Sequence, residues 1–191
     1  MIAFKIAYWA GIVLQVVIRA PFAMRARART RTEQRVSPTE KTLLILLTLA
    51  GVILPLIYTF TNWLSFADYA LPDWLAWAGV LIMALSLLLF WRSHYDLKAN
   101  WSSSVELYEG HTLITNGIYR HMRHPMYASQ FVEGLAQLLL LQNWIAGPIG
   151  LLAFILFYLL RSRAEEQMML AKFGDQYRVY MKTTGTIFPK F

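Results

Sequence analysis

Reactive side chains are densest in residues 111–127, where His, Arg and Tyr surround a Gly turn and lead into an apolar stretch. Pro125 suits the first turn of a helix, because its missing N–H would have no partner there in any case. The free N–H groups of that turn, next to Arg123 and His124, can receive a carboxylate or another anion. The alternative interpretation is a set of interfacial anchors in the lipid headgroup region.

A second reactive segment follows the last apolar stretch. Arg161 and Glu165 are four residues apart, so they share one face of a continuing helix. A surface ion pair of little energetic value is the alternative interpretation. We interpret the apolar residues between His124 and Arg161 as a hairpin of two helices, which would bring both segments to the same end. The sequence therefore predicts one pocket built from two distant segments.

Apolar stretches of spanning length account for most of the chain. They cover residues 2–18, 42–60, 74–91, 125–141 and 144–160. Gln142, Asn143, Gly147 and Pro148 interrupt the last apolar run and predict a tight turn near Asn143. With 57% hydrophobic and 15% charged residues in 191, the composition is typical of a membrane protein. The predicted fold class is all-α: a polytopic membrane helical bundle of about five transmembrane helices with a C-terminal cytoplasmic pocket.

The basic residues indicate the orientation of this bundle. With five spans, every Lys and Arg except Lys5 falls on one side, which the positive-inside rule assigns to the cytoplasm. We therefore expect an N-terminus outside, a cytoplasmic active site and no nucleic-acid partner, although the net charge is +7. Because Arg19 and further arginines directly follow the first stretch, we expect it to be a retained anchor and not a cleaved signal peptide.

Several kinds of chemistry are excluded or disfavoured by the residue types. The absence of Cys rules out disulfides, thiolate metal sites and Cys nucleophiles. His121 and His124 have a spacing that could bind a metal, but no further ligand lies in register, so we expect no metal site.

Glu133 lies inside the fourth span, with Gln130 and Gln137 at helical spacing. It should face the bundle interior, where it either bonds a neighbouring helix or lines a substrate cavity.

Two ordered motifs carry a family resemblance. They are Gly117-Ile118-Tyr119 with Arg123-His124-Pro125-Met126-Tyr127, and Glu165-Glu166 with Phe173-Gly174, Tyr177, Tyr180 and Pro189. Together with Asn100-Trp101-Ser102 and His111-Thr112-Leu113-Ile114, this pattern resembles the isoprenylcysteine carboxyl methyltransferase family over about residues 98–191. The first three spans match in hydropathy alone.

The resemblance implies an integral membrane methyltransferase that uses S-adenosylmethionine and accepts a lipophilic substrate from the bilayer. His111, Thr112, Leu113 and Ile114 would touch the cofactor, and Tyr119, His124, Pro125, Met126 and Tyr127 would complete its pocket. Glu165 would bind the ammonium group of the cofactor. Arg161 would hold the carboxylate of the substrate.

This resemblance also implies how the chain is divided. We expect a single membrane domain over residues 1–191, with three spans and a basic loop in 1–93 and the catalytic part in 94–191. The partners are then a lipophilic or lipidated acceptor and the membrane, and no obligate protein partner is indicated. Asn62, Trp63 and Tyr58 are the candidate acceptor contacts in the first three spans.

Two other functions stay open at this point. Membrane sterol reductases share a related C-terminal hairpin and pocket but bind NADPH. A non-catalytic assembly or lipid-binding protein could also have kept the pocket. Binding of S-adenosylhomocysteine or of NADPH would separate these alternatives from the methyltransferase.

Overall fold

The computed structural model describes residues 2–27, 31–34, 38–101, 106–108 and 112–191, and within them helices dominate. The helices are α1 (Ile2–Arg27), α2 (Pro38–Thr48), α3 (Leu54–Phe60), α4 (Asp73–Leu97), α5 (Pro125–Leu141), α6 (Pro148–Phe173) and α7 (Asp175–Thr183). A π-helical turn, Leu49–Ile53, joins α2 and α3 without a break. The predicted all-α class is thus confirmed.

Within the described parts of the chain, three helical segments are long and apolar enough to cross a bilayer: Ile2–Ala26, Pro38–Phe60 and Asp73–Leu97. Their large apolar side chains face outward at many positions; Leu81, for example, is 72% exposed. In water this exposure would be unfavourable, but lipid solvates such side chains. These segments correspond to the first three predicted spans, each somewhat longer than predicted.

Helices α5 and α6 form the predicted hairpin. Helix α5 begins with Pro125 in its first turn and ends at Leu141, as predicted. Gln142 then adopts a left-handed conformation with φ of 50°, and Asn143 closes the turn by accepting hydrogen bonds from the N–H groups of Ile145 and Ala146. Helix α6 begins at Pro148 and continues to Phe173. The predicted fifth span therefore starts later, and its helix extends well beyond Leu160.

Helix α4 packs along α5, and α1 lies against both. Tyr8, Met83, Ala136 and Leu140 form the centre of this contact, with 0 to 4% of each residue exposed. A second cluster joins α2 to the hairpin through Leu43, Tyr127, Phe154 and Phe157. The first cluster thus joins α1 to α4 and α5, and the second joins α2 to α5 and α6.

Two short strands that the sequence did not predict accompany the helices. Strand β1 (Arg31–Gln34) pairs antiparallel with β2 (Glu106–Tyr108). This pairing connects the segment after α1 with the segment that leads into residues 112–116.

Candidate functional site

A cavity of about 370 Å³ lies where α1, α2, α4, α5, α6 and α7 meet residues 112–124. Its wall contains all the predicted site residues that the structure describes: Thr112, Leu113, Ile114, Tyr119, His124, Pro125, Met126, Tyr127, Arg161 and Glu165. His111, the remaining one, lies outside the described residues. The hairpin thus brings the two reactive segments together, as the sequence predicts.

The polar side of the cavity is a network centred on His124. Its Nδ1 lies 3.7 Å from Glu165 Oε2, and its Nε2 lies 3.4 Å from Glu166 Oε1. Only the Nε2 contact is within hydrogen-bond distance, and the Nδ1 contact with Glu165 is a longer electrostatic one. Arg123 Nε donates to Glu166 Oε1 at 2.9 Å. The hydrogen bonds from His124 and Arg123 lower the pKa of Glu166, so its carboxylate stays charged.

Arg161 lies in the same wall, with its side chain only 10% exposed. Its Nη1 is 3.2 Å from Glu40 Oε1 at the start of α2, and its Nε donates to Glu165 Oε1 at 3.3 Å. The guanidinium also stacks 5.1 Å from the centre of the Phe157 ring. Burial by itself would lower the pKa of Arg161, but the neighbouring Glu165 and Glu40 raise it above its usual value.

Asn100 and Asp96 position the loop before α5. Asn100 accepts a hydrogen bond from the Thr112 N–H at 2.9 Å and donates to the Thr112 hydroxyl. The Asp96 carboxylate accepts the Ile118 N–H at 2.8 Å. Gly117 has a φ of 60°, and a Cβ at this position would lie 2.2 Å from Asp96 Oδ2. Two features therefore require glycine at position 117: the positive φ and the carboxylate of Asp96, which leaves no room for a side chain.

Residues after α7 close the site from the other side. The N–H groups of Arg123 and His124 each donate at 2.9 Å to the carbonyls of Gly185 and Thr186. The Arg123 guanidinium donates to the Thr184 carbonyl at 2.7 Å, and the Tyr180 hydroxyl donates to the Tyr119 carbonyl at 2.6 Å. Burial raises the pKa of Tyr119 well above its usual value, which keeps its hydroxyl neutral.

The opposite side of the cavity is apolar and is supplied by spanning helices. Its residues include Val16 of α1, Leu44 and Leu47 of α2, and Phe154 and Phe157 of α6. Val16 is 64% exposed and Leu44 39% exposed, so the wall continues onto the outer surface of the bundle. The cavity therefore combines charged groups at one end with an apolar surface that leads outward.

Several residues of this site were not predicted from the sequence. Gln15 and Arg19 of α1 and Trp101 line the cavity, and Glu40 supports it from behind Arg161. Arg19 was interpreted as a topology signal, and Glu40 lies just before the predicted second span. Because Gln15 and Arg19 are four residues apart, helical periodicity places them on one face of α1. Nothing in the sequence indicated that this face lines the pocket.

The candidate contacts Asn62, Trp63 and Tyr58 do not line this cavity. They lie toward the hairpin turn, where the Asn143 side chain donates to the Leu64 carbonyl. The cavity around His124 and Arg161 therefore gives no support to these acceptor contacts, which stay a prediction.

Two polar residues inside α5, Glu133 and Gln137, bind α1 and the hairpin turn, whereas Gln130 lines the cavity. Glu133 accepts a hydrogen bond from Gln15 of α1, and Gln137 donates to the Ala146 carbonyl at 2.7 Å. Glu133 is 9% exposed and thus faces the interior, as predicted. Of the two interpretations of Glu133, bonding to a neighbouring helix agrees with the structure.

Such a site can bind a zwitterion beside a lipophilic anion. Glu165 offers a carboxylate for an ammonium group, and the guanidiniums match the planar geometry of a carboxylate. Desolvated walls strengthen these interactions relative to water.

Comparisons with known proteins agree with this description. A family model described as isoprenylcysteine carboxyl methyltransferase matches residues 77–171. The chain is 30% identical over 142 residues to protein-S-isoprenylcysteine O-methyltransferase of Homo sapiens, covering 70% of this chain and 50% of that protein. It is 29% identical over 142 residues to the protein of the same name from Tribolium castaneum, with the same coverage. The chain thus spans about half the length of these curated relatives.

The fold is also similar to that of a solved structure, a eukaryotic intramembrane Ras methyltransferase, with a TM-score of 0.57 at 22% identity. The match covers 95% of this chain and 62% of the other. At 22% identity, this similarity supports a shared fold and nothing further.

Proposed function

Because residues 77–171 match the isoprenylcysteine carboxyl methyltransferase family model, we propose that the chain belongs to this family and transfers a methyl group to a lipophilic acceptor. The methyl donor is S-adenosylmethionine. The acceptor that the site suits best is the carboxylate of an isoprenylcysteine-like molecule. The observation that carries this proposal is the meeting of Glu165 and Arg161 in one cavity with an apolar extension.

The residues present fit the proposed cofactor. A volume of about 370 Å³ lies in the range of about 300–1,000 Å³ that is usual for small-molecule pockets. Glu165 would bind the ammonium group, and Thr112, Leu113 and Ile114 would contact the cofactor together with Tyr119. The segment from His124 to Tyr127 would complete the pocket, with the neighbouring His111 as a further contact. The Nε1 of Trp101 is buried and has no partner among the described residues, so a hydrogen-bond donor is available for a ligand.

The cofactor, when bound, supplies a methyl group activated by a sulfonium. The protein must align the acceptor with that methyl group and exclude water. Arg161 would orient the acceptor carboxylate through its guanidinium, and the apolar side chains of α1 and α2 would contact the lipophilic part. The acceptor's carboxylate oxygen, held by Arg161, would be the nucleophile that takes up this methyl group. The acceptor's carboxyl group is ionised at any pH well above its pKa of about 4, so no general base is needed to activate it.

The proposed active site faces the cytoplasm. This part of the proposal rests on the positive-inside rule, since the site lies at the end of the bundle that carries the basic residues. In the proposed division of the single domain, 94–191 supply the catalytic groups and the three N-terminal spans in 1–93 supply the wall for the lipophilic acceptor.

The test is a calorimetric titration of the protein in mild detergent with S-adenosylhomocysteine, with NADPH titrated in parallel. We expect micromolar binding of S-adenosylhomocysteine and no binding of NADPH. Glu165→Ala should weaken the binding of S-adenosylhomocysteine by about 2 kcal/mol or more, because a charged hydrogen bond is lost in a desolvated site. Asp175→Ala is the matched control, since its side chain is 89% exposed on α7.

Methyl transfer is measured next, with a prenylated N-acylcysteine as acceptor. Ester formation by the unmodified protein would support the proposed function. Binding of NADPH without S-adenosylhomocysteine would contradict it, and cofactor binding without transfer to any lipophilic acceptor would indicate a non-catalytic protein.

A further inference from the structure

Arg19 is a cationic residue of the cavity wall that the proposed mechanism does not use. It lies on α1, outside residues 77–171 that match the family model. Its neighbours Val16 and Val17 are 64% and 60% exposed on the apolar surface of the bundle. Arg19 therefore stands where this outer surface meets the cavity.

The other arginines of the wall already have acidic partners. Arg123 pairs with Glu166, and Arg161 pairs with Glu40 and Glu165. Within the described ranges of the chain, no Asp or Glu forms an ion pair with Arg19. If Glu165 binds the cofactor's ammonium group, Arg161 still keeps Glu40, whereas Arg19 has no ionic partner among the described residues of the cavity wall.

Aromatic stacking holds this charge at the cavity. The Arg19 guanidinium lies 5.3 Å from the centre of the Trp101 ring, and Trp101 is 3% exposed. Trp101 in turn contacts the His94 ring at 5.2 Å. A guanidinium supported on a buried aromatic face keeps its charge and its donors, because cation–π contact uses the face of the group and leaves the edge free.

Arg19 and Arg161 both line this cavity, and like charges in a desolvated site repel each other more strongly than in water. An anion between them would remove this repulsion and would be held from two sides. A single phosphate or carboxylate has the charge for this position, but the apolar wall beside it favours a carboxylate attached to a lipophilic chain.

We propose that Arg19 binds the carboxylate of the lipophilic acceptor together with Arg161, so that the anion lies between a guanidinium from α1 and one from α6. This inference rests on the proposed function and adds a binding residue to it. Arg19 also makes the site selective, because an uncharged acceptor would leave the charge of Arg19 without an ionic partner, whereas Arg161 keeps Glu40.

The experiment compares Arg19→Gln with the matched control Arg25→Gln, which removes an exposed arginine from the same helix. Steady-state transfer to a prenylated N-acylcysteine is measured in zwitterionic detergent, and the carboxamide of the same molecule is used as an inhibitor. We expect Arg19→Gln to raise KM at least about 10-fold, because a charge-assisted contact to the carboxylate is lost. The inhibition constant of the carboxamide and the affinity for S-adenosylhomocysteine should be unchanged, and Arg19→Lys should recover part of the loss. Arg25→Gln should leave KM unchanged.

Three results would overturn the proposal. An unchanged KM in Arg19→Gln would show that the acceptor does not contact Arg19. A change confined to vesicles that contain phosphatidylglycerol would assign Arg19 to a lipid phosphate. An unmodified protein without any transfer would refute the proposed function and this inference with it, whereas an active protein that is insensitive to Arg19→Gln refutes the inference alone.

Discussion

Glu165 and Glu166 are adjacent in the chain and both lie beside His124, yet their carboxylates pair with different arginines. Glu165 lies in the cavity wall beside Arg161, whereas Glu166 binds Arg123 and His124. Arg123 is bonded in addition to the backbone after α7. We infer that Glu166 supports the site by joining α6, the start of α5 and the C-terminal segment, while Glu165 stays available for a ligand.

The lowered pKa of Glu166 leads to a prediction about acid stability. A depressed carboxyl pKa stabilises the fold above the ordinary value of 4.5, and this contribution is lost as the pH falls through the lower pKa of the folded state. We expect the Tm in mild detergent to fall more steeply below pH 4.5 in the unmodified protein than in Glu166→Gln. Glu166→Gln should also have the lower Tm at pH 7, because Arg123 loses its ionic partner. Parallel pH profiles of the two proteins would contradict this role.

Arg161 supports a second prediction at this scale. Arg161→Ala should reduce kcat/KM for a carboxylate acceptor by at least about 10-fold, since a charge-assisted contact is worth roughly 1.5–3 kcal/mol. The affinity for S-adenosylhomocysteine should not fall, because Glu165 loses a competing cation. Arg163→Ala is the control, since Arg163 is exposed on the same helix. A parallel loss of cofactor affinity in Arg161→Ala would show that the roles of Glu165 and Arg161 are not separate.

The residues of the pocket were predictable where one continuous segment carries them. The segment from His124 to Tyr127 and the pair Arg161 and Glu165 stand out by type and spacing, so their meeting followed from the hairpin. Glu40 and Arg19 were not predictable, because their roles depend on how α1 and α2 pack against α6. That packing is decided by side-chain fit between apolar faces, which single-sequence hydropathy does not encode.

The hairpin of α5 and α6 is the element that assembles the site. Gly134 lies at its contact, and a Cβ there would be 2.9 Å from Leu151 Cβ and 3.0 Å from the Leu151 backbone. The absence of a side chain lets the two helices approach closely, as is common between membrane helices.

Gly134→Leu should therefore separate the hairpin. We expect a destabilisation of about 1–3 kcal/mol from overpacking, together with weaker binding of S-adenosylhomocysteine, because His124 and Arg161 lie on the two arms. Gly51→Ala is the control, since a Cβ at Gly51 meets no atom within 4 Å. Thermal unfolding in mild detergent measures the first effect, and calorimetry the second. An unchanged Tm in Gly134→Leu would mean that the helices are not tightly packed at this point.

The elements themselves were predicted in kind and order, and the deviations have physical reasons. Helix α5 has the predicted bounds because Pro125 and the polar turn at Asn143 delimit it. Helix α6 continues past Leu160 because polar residues with good helix propensity, such as Glu166 and Gln167, prolong it beyond the apolar run. Strands β1 and β2 were missed, since each is at most four residues long and lies in a polar loop.

At the scale of the whole molecule, charge is distributed unequally between the two ends of the bundle. Among the residues that the structure describes, the basic residues other than Lys5 lie toward the end with the cavity, whereas residues 61–73 carry no Lys or Arg. The chain contains no Cys, so a single introduced Cys can report its own side of the membrane.

Sided labelling of such variants tests the orientation. In intact cells, a membrane-impermeant maleimide should label Asn62→Cys, and Arg178→Cys should react only after the membrane is opened. Both positions are exposed, so accessibility within the protein does not distinguish them. The reverse pattern would place the cavity outside the cytoplasm and would contradict the orientation.

The backbone pairing of Arg123 and His124 with Gly185 and Thr186 has a consequence for how the protein is made. The helices can enter the bilayer one after another during translation, but the wall of the pocket stays incomplete until the ribosome has released residues 185 and 186. Membrane insertion and the acquisition of ligand binding are therefore separate events in biosynthesis, and a chain stalled within α7 would be inserted without a complete binding site.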